Sequence, residues 1–305
     1  MRIFRHACLT AAAIAVLAFA HNAGAAEMGT PSTGIADTGV PGTGAPAAGM
    51  PNAGAPSAGT TDAGAAAAGA AAQKLAIGTE GAYPPFNGVA ADGSLVGFDI
   101  DIAKALCAEM GADCTFVTQD WEGIIPALQS GRFDAIISSM AITEEHRKKV
   151  DFTHAYYRTV PAIAVRKDSP LTGVAPEELK GLSLGVRNRT IHSRYAKAKY
   201  KESTIRAYTT ITDYEHDLAE GRLDAVMDSR IVLGDWLKTD DGQCCRILGK
   251  IKPDPDIHGE GAGIAVRKGD IDLVERFNAA LAAIRTNGTY KRINDKYFDF
   301  DVYGD

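Results

Sequence analysis

The stretch Ser130-Gly-Arg-Phe-Asp-Ala-Ile-Ile-Ser138 is echoed later in the chain by Glu220-Gly-Arg-Leu-Asp-Ala-Val-Met-Asp-Ser229. Before each glycine, apolar residues recur at three- and four-residue spacing: Ile124, Ile125 and Leu128 in one copy, Tyr214 and Leu218 in the other. That spacing predicts a helix, which ends at Gly131 or Gly221 because glycine tolerates the left-handed conformation. An aspartate then leads a short apolar strand. A second echo pairs Ala162-Ile-Ala-Val-Arg-Lys-Asp-Ser169 with Gly263-Ile-Ala-Val-Arg-Lys-Gly-Asp270. Short apolar strands alternating with helices point to an α/β fold with parallel sheets joined by crossovers. Two such sets in one chain predict two lobes, 74–161 with 260–305 and 162–259, joined by two hinge strands over a cleft. Small ligands sit in such clefts, outside the carboxyl ends of strands, where Ser138, Ser139, Asp228 and Ser229 fall.

The chain has 305 residues and a formal net charge of −6, an acidic balance that argues against nucleic-acid binding. The first 73 residues carry only Arg2, Arg5, Glu27, Asp37 and Asp62 as charges. Arg2 and Arg5 precede an apolar run from Leu9 to Ala20, followed by Ala23-Gly24-Ala25, the pattern of a secretory signal peptide over 1–25. The run is shorter than the roughly 20 residues that span a bilayer, so an exported, soluble periplasmic protein is expected. From Gly29 to Gly69 glycine recurs every fifth residue, with Pro31, Pro41, Pro46, Pro51 and Pro56 interleaved. A segment with so little to bury reads as a disordered tether over 26–73, with a reach of roughly 40 Å.

At Gly97 the sequence reads Gly-Phe-Asp-Ile-Asp-Ile-Ala-Lys-Ala-Leu-Cys-Ala-Glu-Met110. Asp99 and Asp101 suit a helix N-terminus, and Ala103, Leu106, Cys107 and Met110 form its apolar stripe. With Ile77-Gly-Thr-Glu-Gly-Ala-Tyr-Pro-Pro-Phe86, Ile137-Ser-Ser-Met-Ala-Ile-Thr-Glu-Glu-His146 and the closing Asp295–Asp305, this stretch resembles the periplasmic polar amino-acid-binding proteins of ABC importers, solute-binding protein family 3. The resemblance covers residues 74–305 and runs most strongly to the lysine/arginine/ornithine- and histidine-binding branch. It implies the type II two-lobed periplasmic-binding-protein fold and a Cys107–Cys114 disulfide. Cys244 and Cys245 are either free thiols or a strained vicinal bridge. No cysteine or histidine spacing suggests a metal site, and no cofactor is expected.

A zwitterion leaving water needs donors for its carboxylate and a carboxylate for its ammonium. The resemblance implies that Tyr83 and Trp121 flank the ligand's alkyl chain, and aromatic faces also favour a cationic head. Both rings could instead be lobe-core packing. Glu80 stands where the basic-ligand branch has an acid facing the distal ammonium; otherwise it is a solvated loop charge. Asp228 is expected to meet the α-ammonium, with Ser138 and Ser139 bonding from the other lobe. Counted forward from Asp224, the family's aspartate falls on Ser229; counted back from Trp236, it falls on Asp228, and a serine cannot neutralise an ammonium. At the carboxylate clamp the family's serine becomes Ala141 and its arginine becomes His146, with Arg147 one position on. Either Arg147 reaches in or His146 takes the place, with a charge that changes near pH 6–7. In the other lobe the family's Gly-Thr-Thr becomes Arg189-Thr190-Ile191, leaving the Ile191 N–H as a donor and placing Arg187 and Arg189 nearby.

The function so implied is non-catalytic capture of a small amino acid, cationic or a derivative, by hinge closure, with delivery to ABC transporter membrane subunits by a monomer. Arg187 and Arg189 leave room for an opine. A cyclohexadienyl or arogenate dehydratase-like enzyme is the alternative, with Glu80 or His146 as its acid. A sensor domain would need a separate signalling partner.

Overall fold

Residues 73–304 are described by the computed structural model; the expected signal peptide and the glycine-rich tether as far as residue 72 lie outside the described residues. Strand β1 (Lys74–Thr79) leads to a two-stranded hairpin, β2 (Gly88–Val89) with β3 (Leu95–Val96), then α1 (Phe98–Glu109), β4 (Asp113–Thr118), α2 (Ile124–Gln129), β5 (Ala135–Ile136), α3 (Glu144–Arg147) and β6 (Val150–Tyr157). The chain continues through β7 (Pro161–Arg166), β8 (Ser183–Arg187), α4 (Ile191–Lys199), β9 (Thr204–Tyr208), α5 (Ile211–Ala219), β10 (Ala225–Ser229), α6 (Arg230–Trp236) and β11 (Cys245–Lys250). It ends with α7 (Pro255–His258), β12 (Ala262–Arg267), α8 (Ile271–Thr286) and α9 (Thr289–Tyr297). No described helix is long and apolar enough to cross a membrane.

Two five-stranded sheets result, ordered β4-β1-β5-β12-β6 and β11-β7-β10-β8-β9. The chain passes from the first to the second through residues 158–160 and returns through 251–261. The two sequence echoes pair with each other in both sheets: β12 lies antiparallel to β5, and β7 lies antiparallel to β10. The aspartate that opens each echoed strand has a structural task. Asp134 Oδ2 accepts from the Ala76 N–H at 2.9 Å, and Asp224 Oδ2 accepts from the Ser183 N–H at 2.7 Å. Each carboxylate thus fastens its strand to the first parallel strand of its own sheet.

Gly97 precedes α1 with φ of 120°, in the left-handed half of backbone space where a side chain is strained. It turns the chain so that the Phe98 and Asp99 N–H groups bond the Pro85 and Phe86 carbonyls at 3.0 and 2.7 Å. Phe98 then enters an aromatic core: Phe298 lies 5.2 Å away, Tyr290 5.9 Å, and Phe86 stacks on Tyr157 at 4.4 Å between ring centroids. Such offset and edge contacts add roughly 0.5–1.5 kcal/mol per pair beyond burial. The Cys107–Cys114 disulfide joins α1 to β4 across a Cα separation of 6.1 Å. Of the two states left open for Cys244 and Cys245, the structure has the vicinal bridge.

Candidate ligand cleft

A cavity of about 490 Å³ opens between the two sheets. Its walls include Glu80, Tyr83, Trp121, Ser138, Ser139, Ala141, His146, Thr190 and Ile191, so nine residues singled out in the sequence converge on one space. They arrive there on the loops and first helical turns that follow the carboxyl ends of β1, β4, β5 and β8, as open α/β sheets require.

Glu80 does not face open space. Its carboxylate is bound by both Nη atoms of Arg187 from the opposite lobe, the Nη1 to Oε2 distance being 2.7 Å. The two side chains are 7% and 5% exposed, so this is a buried ion pair spanning the cleft. The Arg187 guanidinium carbon lies 5.9 Å from the Tyr83 ring centroid and 5.8 Å from that of Trp121. Burial pulls the Arg187 pKa below its ordinary value, with the Asp228 charge opposing that shift. Trp121 also donates its indole N–H to the Arg189 carbonyl across the cleft at 3.3 Å.

Asp228 is fully buried and is not part of the cavity wall. Its Oδ1 accepts from the Tyr83 hydroxyl at 2.5 Å and the Ser229 N–H at 2.6 Å, and its Oδ2 accepts from the Tyr214 hydroxyl at 2.8 Å. The expectation of an Asp228 open to an ammonium is corrected to this extent: Tyr83 stands over it, because β10 ends pointing its carboxylate at the tyrosine that also walls the cleft. Burial, followed by the Asp228 charge, holds the hydroxyls of Tyr83 and Tyr214 well above their usual pKa, so both remain donors.

Arg147 is likewise not brought into the cavity. Its guanidinium reaches the Glu260 carboxylate at 3.2 Å and is 38% exposed, since the position after His146 is rotated about 100° around the helix. His146 does line the cavity, with Nδ1 2.8 Å from the Ala141 carbonyl. A carbonyl only accepts, so Nδ1 carries the proton and the neutral ring offers a lone pair at Nε2. Burial lowers the His146 pKa, which favours the neutral ring.

The serines are held by internal bonds. Ser138 Oγ accepts from the Glu80 N–H at 3.0 Å, leaving its own proton available. Ser139 adopts φ of 56°, fixed by its N–H to the Tyr156 hydroxyl at 3.0 Å and its Oγ–H to Asp99 Oδ2 at 2.9 Å. Arg189, at φ of 55°, is the other described non-glycine residue with positive φ, at the position where the family pattern has glycine. Thr190 caps α4 by accepting from the Ser193 N–H at 3.1 Å, which leaves the first-turn Ile191 N–H without an intrahelical acceptor.

Sequence reasoning missed Tyr157 at the end of β6, the walls contributed by the two connecting segments, including Thr159, Glu260 and Gly261, and the buried His192 and His258. The segments were legible as the gaps between echoed strands. The histidines carried no signal, because only tertiary packing buries them and, for His258, pulls the pKa down to about 4.

Bacterial extracellular solute-binding proteins of family 3 match residues 75–300. The chain belongs to that family. The L-arginine-binding protein of Pseudomonas aeruginosa is 47% identical to this family 3 protein over 231 residues, 75% of this chain and 89% of the relative. The lysine/arginine/ornithine-binding periplasmic protein of Escherichia coli is 35% identical over 236 residues, 76% of this chain and 90% of that one. Among solved structures, an ancestral arginine-binding protein bound to arginine matches with a TM-score of 0.68 and 37% identity, over 74% of this chain and 98% of the other. The relatives so named are binding proteins, and this family 3 chain shares their two-lobed α/β fold.

Proposed function

We propose that this protein captures a cationic amino acid, with arginine first among the candidates, and hands it to the membrane subunits of an ABC importer on the outer side of the membrane. The observation that carries the reading is a subsite in the cleft wall where the buried Glu80 carboxylate holds a guanidinium, that of Arg187, 5.9 and 5.8 Å from the ring centroids of Tyr83 and Trp121. That arrangement suits a delocalised cation on an alkyl chain. The names of the arginine- and lysine-binding relatives support the same chemistry.

In this reading the ligand's carboxylate meets the Ile191 N–H at the start of α4, where the helix dipole favours an anion. Arg147 has no part in holding it. The ammonium is met by Ser138 and by the Asp228 charge, with the Tyr83 hydroxyl between them. Release of that hydroxyl on closure would let Asp228 bond the ammonium directly. Closure follows from contacts that form only when both lobes touch ligand. A dehydratase would need a protonated acid poised over its substrate, whereas Glu80 accepts two hydrogen bonds from a guanidinium, so we read the protein as a non-catalytic carrier.

A thermal-shift and calorimetric panel of arginine, lysine, ornithine, histidine, glutamine and glutamate tests this. A ligand at a hundred times its Kd adds about 2.7 kcal/mol of stability, which is readily seen. Stabilisation by the cationic members, with arginine strongest, is expected. A response confined to glutamine or glutamate, or product formation from arogenate, would overturn the reading.

A further inference from the structure

Arg187 raises a question that the proposed function leaves open: its own guanidinium sits where a captured cation is expected. Its guanidinium carbon lies over both the Tyr83 and the Trp121 ring, 5.9 and 5.8 Å from their centroids, and the group forks onto the Glu80 carboxylate, with little of either side chain exposed. Its Nε also donates to the Thr209 carbonyl at 3.3 Å, which anchors it from its own lobe. The group is chemically the same as the head of an arginine ligand: planar, delocalised and able to donate two parallel hydrogen bonds. One carboxylate with two oxygens accepts one such fork, and two guanidinium groups stacked into the same aromatic slot repel each other.

We infer that Arg187 is a tethered occupant of the cationic subsite, so that a cationic amino acid gains Glu80 only by displacing a side chain of the protein itself. The inference uses the proposed function only to name the incoming ligand. Binding then exchanges the Glu80–Arg187 pair for a pair between Glu80 and the ligand's own guanidinium or ammonium, and that exchange contributes little net affinity. The penalty falls equally on every ligand that needs the subsite. It spares a short neutral amino acid that does not reach it. Arg187 therefore sets how strongly the cleft prefers long cationic ligands over short neutral ones, and it leaves the ranking among arginine, lysine and ornithine unchanged.

The test uses N-methylguanidinium, a cation with no amino-acid end, alongside arginine and lysine. In Arg187→Ala and Arg187→Gln, N-methylguanidinium should raise Tm in a saturable way. It should do nothing for the wild type or for an Arg187→Ala/Glu80→Gln double variant. Arginine and lysine should each bind the single variants at least tenfold more tightly than the wild type, by similar factors. In the wild type, the Arg187 Nε–H resonance should shift when lysine saturates the cleft, a readout that does not depend on the variants folding. Weaker arginine binding in both single variants would overturn the inference and make Arg187 a direct anchor for ligand. So would unchanged affinity with no uptake of N-methylguanidinium, or an Arg187 resonance that stays put at saturation. If no cationic amino acid binds any form while N-methylguanidinium still stabilises Arg187→Ala, the capture reading fails and the tethered occupant stands.

Discussion

Glu215 on α5 is buried near Asp228, and burial, followed by the charges of Asp228, Asp235 and Asp241, pushes its pKa from 4.5 up to about 8. Below about pH 4.5 the carboxyl is protonated in both folded and unfolded chains. Between there and pH 8 the unfolded chain releases the proton while the native state holds it, so stability declines as pH rises through this window. Glutamine keeps the shape and has no proton to lose. We predict that Glu215→Gln has a Tm close to wild type at pH 5 and higher by roughly 5 °C at pH 8, measured by calorimetry. A difference that does not grow with pH would show that Glu215 ionises freely. Asp99 obeys the same balance with a different result. Burial raises its pKa to about 6, and bonds from Tyr156, Asn87 and Ser139 hold it from rising further. Buried carboxyls only a few residues from the cleft thus carry different charges at neutral pH because one has hydrogen-bond donors and the other has acidic neighbours.

Among the elements, α1 depends on the glycine that precedes it. A Cβ on Gly97 would collide with the Phe86 carbonyl and approach the Asn87 nitrogen to 2.9 Å, at a backbone angle that side chains avoid. Neither neighbour is a flexible side-chain end. Gly97→Ala is expected to cost roughly 2–4 kcal/mol in urea unfolding, with the midpoint lowered and the slope unchanged. A loss under about 0.5 kcal/mol would mean that the loop before α1 shifts freely. The helix itself was readable in the chain, because the Ala103, Leu106, Cys107 and Met110 stripe and Gly111 are local signals. Its partners were not, since Phe298 and Tyr290 come from the far end of the sequence.

For the molecule as a whole, the two lobes are held together by cross-cleft contacts made by exposed and half-exposed side chains as well as by the buried pair. Glu122 accepts from Asn188 Nδ2 at 3.1 Å and lies 3.5 Å from the Arg189 guanidinium. Such surface contacts contribute roughly 0.2–1 kcal/mol each. In the hinge closure proposed above, removing them lowers the population of the closed form, and apparent affinity falls in proportion. For Glu122→Ala we expect arginine affinity to fall about two- to fivefold, with Tm of the protein alone within about 2 °C of wild type. Calorimetry and a melting curve check both. A large drop in Tm would assign Glu122 to lobe stability instead of closure.

The echoed stretches, their glycine stops and the helical stripe after Gly97 determined a two-sheet α/β chain that crosses over and returns, because strand period, helix period and turn chemistry are written within a few neighbouring residues. They also placed Ser138 and Ser139 at the cleft, since loops after parallel strands converge at one edge, while Glu80, Tyr83, Trp121, His146 and Ile191 came from the family resemblance. The direction of each functional side chain was settled only by the tertiary structure. Glu80 turns to Arg187, Asp228 turns beneath Tyr83 and Tyr214, His146 donates to the Ala141 carbonyl and Arg147 leaves for Glu260. A buried charge takes whichever partners satisfy it, and for Glu80 and Asp228 those include Arg187 and Tyr83, 107 and 145 residues away along the chain and beyond the reach of any local pattern.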